Sequence, residues 1–219
     1  MYLATIPGTE VKLQHDGFLD KEMLTVDDIP ANERPINQHW SWDRILRSIF
    51  IKQGDVVQGM YFFMDDFPVD VVRANFEYYE PKTVHESSLS ASIHSVVASH
   101  IGDVEKAYEL YRRAARLDLD DYNNEVHEGL HITSMAGTWL AIVEGFARKR
   151  VTSEGLLSLS PILPPKWKRY AFKIKYRGCV VEADVRRDGV TVRNHSEKPI
   201  DIVLNGKPVT IAAKGEVRQ

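Results

Sequence analysis

Hydrophobic positions divide this chain into a helical first part and a stranded last part. Residues 1 to 37 show little period and are punctuated by Pro7, Gly8, Gly17, Pro30 and Pro35, which predicts loop with short elements. From Trp42 to Phe63, Ile45, Leu46, Ile49, Phe50, Val56, Val57, Met60, Tyr61 and Phe63 recur at helical spacing, with Gly54 and Gly59 as local costs. Asp66-Phe67-Pro68 breaks that pattern. Val69 to Tyr79 resumes it with Val72, Phe76 and Tyr79 on one side, and Pro81 ends it. Ser90 to Ile101 is apolar at Ile93, Val96, Val97 and Ile101 and otherwise built of Ala and Ser, so neighbouring elements are able to approach closely. Gly102 stops this helix and Asp103 is placed to cap the next, whose stripe is Ala107, Leu110, Tyr111, Ala114 and Leu117. A polar loop, DLDDYNNEVHEG, separates it from a last helix over Ile132 to Arg150 that carries Met135, Trp139, Ile142, Val143 and Phe146.

After Arg150 the period changes from helical to alternating. Phe172, Ile174 and Tyr176 alternate with Lys173 and Lys175; Val181, Ala183 and Val185 alternate with Glu182 and Asp184. Val190, Val192, Ile200, Ile202 and Leu204 continue the pattern, and Asp188-Gly189 and Asn205-Gly206 sit where two-residue hairpin turns are expected. The expected fold class is mainly α with a C-terminal β domain. The seam is expected at Ser160-Pro161 to Pro164-Pro165, giving domains of residues 1–160 and 161–219. The early QHDGFLDKE stretch resembles the middle of a folded region more than a lead-in, so the chain is expected to be part of something larger.

Composition narrows the classes. A hydrophobic content of 43% supports a real core, and a net charge of -3 with interspersed signs offers no basic field for a nucleic-acid backbone. The single Cys179 has no internal disulfide partner and reads as a strand residue in a reducing compartment. No signal-peptide pattern or membrane-length apolar run is seen, so a soluble cytoplasmic protein without membrane or nucleic-acid partners is expected.

Common catalytic signatures are absent: no G-x-G-x-x-G, P-loop, H-E-x-x-H or G-x-S-x-G. His85-Glu86-Ser87 is a poor nucleophile-base pair because adjacent residues rarely converge on one atom. Asp118, Asp120 and Asp121 have the look of a calcium loop, but its sixth position is Asn123 and its twelfth is Gly129. No metal site is expected. Two stretches share a design suited to anions: Thr83-Val84-His85-Glu86-Ser87-Ser88 and Gly129-Leu130-His131-Ile132-Thr133-Ser134 each lead a polar run into a helix. There, unpaired backbone N–H groups and hydroxyls face one point with the positive helix end behind them. Taken alone, each stretch is more often just a helix cap. Lys52-Gln53 is the other polar break; both side chains reach one pocket only at a helix end or bend, the alternative being a surface lysine beside a buried glutamine. Trp40, Trp42, Tyr78 and Tyr79 are able to stack on a sugar or to serve as core, and His94 and His100 read as core or surface histidines.

The segments KQGDVV, NFEYYEPKTVHESSLSASIHS, KAYELYRRAARLDLDDYNNEVHEGLHITSMAGTWLAIVEGF and FKIKYRG together resemble glycoside hydrolase family 65, the family of maltose, kojibiose and trehalose phosphorylases. The resemblance implies the last part of an (α/α)6 barrel followed by a small β-sandwich. It also implies inverting phosphorolysis of an α-glucosidic disaccharide to β-glucose 1-phosphate, with inorganic phosphate as co-substrate and no cofactor. By position, Lys52 and Gln53 would hold the glucosyl unit, and His85, Ser87, Ser88, Gly129, His131 and Thr133 would surround the phosphate. Two departures stand out: Gly54 replaces the family's usual alanine, and the general-acid glutamate has no counterpart here. Glu86 and Glu128 lie in the phosphate half of the site, where a glutamate would suit a hydrolase's water-activating base better. The lone chain is therefore expected to be inactive and to associate with an N-terminal half or with itself. A non-catalytic sugar- or phosphate-binding remnant and part of a hydrolase are the alternatives.

Overall fold

Single-turn elements open the chain in this computed structural model, which describes residues 3–219: 3-10 turns at Phe18–Asp20, Val26–Asp28 and Ala31–Glu33, then the short helix α1, Ile36–His39. Their glycines and prolines leave no room for a longer helix. The helices that follow are α2 (Trp42–Arg47), α3 (Asp55–Phe62), α4 (Val69–Tyr79), α5 (Ser90–His100), α6 (Val104–Ala115), α7 (Leu117–Asp120) and α8 (Ile132–Leu140). The expected cap forms, Asp103 accepting from the Lys106 N–H at 3.0 Å, and Ser41 caps α2 by accepting from that of Arg44 at 3.2 Å.

Helix α5 lies at the centre of this unit, with Val96, Val97, Ala98 and His94 fully buried. Its small residues permit close approach, most sharply where a Cβ added to Gly137 of α8 would lie 2.3 Å from Ser92 Oγ and 2.7 Å from Ser92 Cβ. The hydroxyls that this burial takes from water find carbonyls: Ser95 Oγ donates to Ala107 O at 2.7 Å and Ser134 Oγ to Ala114 O at 2.9 Å.

Two expected helices are shorter than their apolar spacing predicts. The stretch from Trp42 to Phe63 is two helices, because the backbone between them is engaged elsewhere: Ile51 N–H donates to Lys82 O at 2.8 Å and Val84 N–H to Ile51 O at 3.0 Å. A short parallel bridge, Ile51 to Thr83, takes the place of helical bonds. The last helix ends at Leu140, widens into a π-type turn over Ala141–Phe146 and gives way to strand at Arg150. Arg148, in the left-handed region at φ 47°, turns the chain there. Leu117 and the following aspartates, expected as stripe and loop, form α7.

The chain divides into two compact units, the second being Ile142–Gln219. That division precedes the proline seam because β1 (Arg150–Val151) and β2 (Leu157–Leu159) pair into the second unit. The remaining strands are β3 (Arg169–Tyr176), β4 (Cys179–Arg186), β5 (Gly189–Asn194), β6 (Ile200–Leu204), β7 (Lys207–Ile211) and β8 (Glu216–Arg218). They form two four-stranded sheets, ordered β1-β2-β6-β7 and β3-β4-β5-β8. Alternation buries Val181, Ala183 and Val185 on β4 and Ile200, Ile202 and Leu204 on β6, and Cys179 is a buried, unpaired strand residue. Asn205-Gly206 forms the expected two-residue turn with φ values of 48° and 76°. At the other predicted hairpin the connecting pair is Arg187-Asp188, since Gly189 already pairs with Arg186. Among the described residues no helix is long and apolar enough to cross a membrane.

Candidate functional site

The loop from Thr83 to Leu89 delivers the chain into α5, and its conformation is held from behind by groups that sequence patterns did not single out. His85 has φ 53°, an unusual backbone state for a residue with a Cβ, costing on the order of 1–2 kcal/mol. Three contacts hold it there. The Arg113 guanidinium donates twice to the His85 carbonyl, at 3.0 and 2.8 Å, His85 Nδ1 lies 3.0 Å from Ser90 Oγ, and Nε2 lies 3.2 Å from Glu80 Oε2. The imidazole thus faces inward, spending both nitrogens on the protein. Beside it, Asn123 Nδ2 donates to Glu86 O at 3.1 Å.

Glu86 is also committed. Its carboxylate accepts from the Ile36 N–H at 2.8 Å, closing the start of α1. Burial pushes its carboxyl above the ordinary range, opposed by the Ile36 and Asn37 N–H donors and by the Lys52 and Arg34 charges. Lys52 therefore stands within electrostatic reach of this loop. A cavity of about 640 Å³, bordered by Arg34, Glu80, His85, Glu86, Arg113 and Asn123, lies behind it, and neither Ser87 nor Ser88 lines that cavity.

The front of the loop is where the two polar stretches meet. Ser88 Oγ and Thr133 Oγ1 share a hydrogen bond of 2.8 Å, which brings the entry of α5 against the entry of α8. Ser87 Oγ accepts from the Leu89 N–H at 3.2 Å. Across from them, the GLHITS stretch is shaped by Asp118, whose carboxylate accepts from the His131 N–H at 2.9 Å and from its Nδ1–H at 2.6 Å. The His131 hydrogen bond, above all, holds the Asp118 carboxyl below its usual range. The other His131 nitrogen, Nε2, lies 3.6 Å from Glu125. Gly129 lies at φ 124°, a conformation that a side chain would strain.

The acidic loop thus has structural employment residue by residue. Asp118 orients His131, Asp120 pairs with Arg116 at 2.5 Å, and Asp121 accepts from the Glu125 and Val126 N–H groups at 2.9 and 3.1 Å. Glu128 is exposed, its side chain 74% accessible.

Lys52 and Gln53 lie in the turn ahead of α3, at a helix end. Lys52 Nζ sits 5.0 Å from the Trp42 ring centroid, and Gln53 is exposed rather than buried.

Glu80, His85 and His94 bring ligand-type atoms within 4.8 Å of one another. The His94 Nδ1 to Glu80 Oε2 separation of 2.5 Å is that of a strong hydrogen bond, shorter than the about 3.3 Å between neighbouring ligands of a tetrahedral metal. Burial alone would raise the Glu80 carboxyl, but the His85 and His94 hydrogen bonds outweigh it and hold Glu80 far below the usual carboxylate range. Burial pushes the His85 imidazole down, so it is neutral at pH 7.

Residues 1–140 match the family model for the glycosyl hydrolase family 65 central catalytic domain, and residues 150–211 match the model for that family's C-terminal domain. The chain belongs to glycosyl hydrolase family 65. Among its family 65 relatives is maltose phosphorylase of Bacillus subtilis, 48% identical over 218 residues, covering all of this chain and 29% of the relative. The α,α-trehalose phosphorylase of Thermoanaerobacter brockii is 39% identical over 219 residues, again covering all of this chain and 28% of the relative. A solved structure, described as a candidate kojibiose phosphorylase from the human microbiome, superimposes with a TM-score of 0.90 at 39% identity, over the whole chain and 29% of that structure. This chain therefore spans less than a third of the length of these relatives.

Proposed function

We propose that this chain carries the phosphate- and glucosyl-contacting part of an inverting disaccharide phosphorylase, which converts an α-glucoside and phosphate to β-glucose 1-phosphate and the released sugar. Its helical unit would be the last part of an (α/α)6 barrel and its two sheets a small β-sandwich. What supports this reading most is the 2.8 Å contact of Ser88 with Thr133, at the junction of two helix entries within the matched catalytic domain. The Ser88 and Thr133 hydroxyls meet there at the N-terminal ends of α5 and α8, and in this reading they, with Ser87, would cradle a dianion.

In the reaction, phosphate oxygen attacks the anomeric carbon from the face opposite the glycosidic oxygen, forming the new C–O bond as the old one breaks. A carboxylic acid delivers the proton that the leaving sugar oxygen needs. Phosphate is already anionic, so no protein base is required. Gly129 and His131 shape the second wall of the cradle, and Lys52 and Gln53 hold glucosyl hydroxyls. The acid would come from the part of a family 65 catalytic domain that this chain does not carry, because Glu86 is spent on the Ile36 N–H and Glu128 is exposed. The reading needs no cofactor, and a cytoplasmic setting suits the unpaired Cys179.

The test supplies the purified chain with maltose, kojibiose, trehalose or trehalose 6-phosphate plus phosphate, and follows both β-glucose 1-phosphate and phosphate binding. Binding without turnover is expected of the lone chain, with turnover appearing when the missing part of a family 65 catalytic domain is supplied. Turnover by the lone chain would refute the assignment of the acid. Binding that never yields product after complementation would favour a non-catalytic remnant, and phosphate-independent cleavage would favour a hydrolase.

A further inference from the structure

His94 occupies an unusual position. It is fully buried on α5, and its Nδ1 lies 2.5 Å from Glu80 Oε2. A carboxylate held anionic only accepts, so Nδ1 carries a proton toward Glu80 and Nε2 faces away from it. Among the described residues that Nε2 has no hydrogen-bond partner. It points at Gly54, where an added Cβ would lie only 2.5 Å away. Gly54 is the residue that follows Lys52-Gln53 and opens α3.

From Glu80 the network continues to the other turn. The same carboxylate takes His85 Nε2, which leaves His85 Nδ1 to accept from Ser90, while the His85 ring meets that of His94 edge-on at 4.8 Å between centroids. Lys106 Nζ, 3.7 Å from Glu80 Oε1, balances the charge. Alongside runs the backbone bridge of Ile51 to Thr83. The Lys52-Gln53 turn and the His85–Ser88 turn are thus joined by main chain on one line and by a buried His94–Glu80–His85 relay on another.

We infer that Glu80 and His94 are positioning residues that couple these two turns, so that sugar held at Lys52-Gln53 raises the affinity of the His85–Ser88 turn for phosphate. The inference rests on the function proposed above. Its physical basis is the absence of slack at Gly54. A shift of that turn moves His94, which swings Glu80 and with it the ring that fixes His85 in its left-handed conformation. Each ligand selects the same arrangement of the relay, so each shares the ordering cost of the other.

The experiment titrates the 219-residue chain with inorganic phosphate by calorimetry, with and without saturating glucose, and reads histidine tautomers by ¹⁵N NMR. Glucose is expected to tighten phosphate about fivefold, the low end of typical coupling. Glu80→Gln should abolish that factor. Gly54→Ala, which displaces His94 without changing any charge, should abolish it too, and it keeps the test intact if the first variant fails to fold. Glu109→Gln, touching Lys106 but neither histidine, should retain the factor. His94 should show the Nδ1–H form. Independent binding of the two ligands, coupling that survives in Glu80→Gln or Gly54→Ala, or an Nε2–H tautomer at His94 would each overturn the inference. Failure of the unmodified chain to bind phosphate at all would instead overturn the proposed function, and the inference with it.

Discussion

Gly137→Ala tests whether the approach of α8 to α5 sets the spacing of the candidate phosphate cradle. The new methyl would sit 2.3 Å from Ser92 Oγ and 2.7 Å from Ser92 Cβ. Rotating the hydroxyl relieves the first contact but not the second, so the helices must separate. Overpacking of this kind costs about 1–3 kcal/mol, while replacing a helical glycine by alanine returns about 1 kcal/mol of propensity. A net loss of up to about 2 kcal/mol is expected, or a fall of up to about 8 °C in the unfolding midpoint. Circular dichroism at the helical minimum, followed through thermal and urea unfolding, isolates the helical unit from the sheets. Phosphate affinity should fall as well, because Ser88 and Thr133 stand at the entries of the same two helices. Adding Ser92→Gly to Gly137→Ala should restore binding, by removing both atoms in conflict. A Gly137→Ala chain that is as stable as its parent and binds phosphate equally well would refute the reasoning.

Acid stability should follow two groups. Glu80, depressed in the folded state, contributes stability that is present above its unfolded value of 4.5 and lost as pH falls toward its folded value, so Glu80→Gln should flatten the acid limb of the stability curve. His85 is also depressed, so below 6.5 the unfolded chain takes up a proton that the folded chain refuses; its contribution likewise falls with falling pH, and a His85→Gln variant titrated by urea unfolding should lose that slope. Asp118→Asn removes the carboxylate that receives two His131 donors and should cost about 1–2 kcal/mol while weakening phosphate binding in the same calorimetric assay. Asn205→Val, at φ 48° in the turn between β6 and β7, should destabilise the second unit by about 1–2 kcal/mol in urea unfolding followed by tryptophan fluorescence.

Periodicity located the elements of this chain well wherever side-chain packing alone decides them. Helix α4 runs over Val69–Tyr79 as its apolar spacing implies, the Ala/Ser composition of α5 foretold the close contact at Gly137 and Ser92, and Asn205-Gly206 makes its turn. It failed where the backbone found a partner distant in sequence. Ile49 and Phe50 keep helical spacing, but the Ile51 N–H is taken by Lys82, and β1 and β2 are defined by pairing with one another and with β6, which no local pattern announces.

Among the candidate residues, the structure brings Ser88 and Thr133 together, a meeting in keeping with two polar runs that each open a helix. The role of His85 was not, since its ring turns away toward Glu80 and Ser90. Glu80 itself carried a faint signal, standing beside Pro81 and five residues before His85. Asp118 was hidden in an acidic run whose members turn out to serve a histidine, an arginine and a turn separately. Arg113 and Asn123 support the loop through its carbonyls, a kind of contact that side-chain motifs do not encode.

The most direct test of the account is phosphate binding by the 219-residue chain, measured by calorimetry before and after the double substitution Ser88→Ala and Thr133→Ala. Saturable binding that the double variant loses, with its unfolding midpoint preserved, is the predicted result. Saturable binding left intact in the double variant, or no binding by the parent chain, would contradict the claim that these two helix entries form the phosphate cradle.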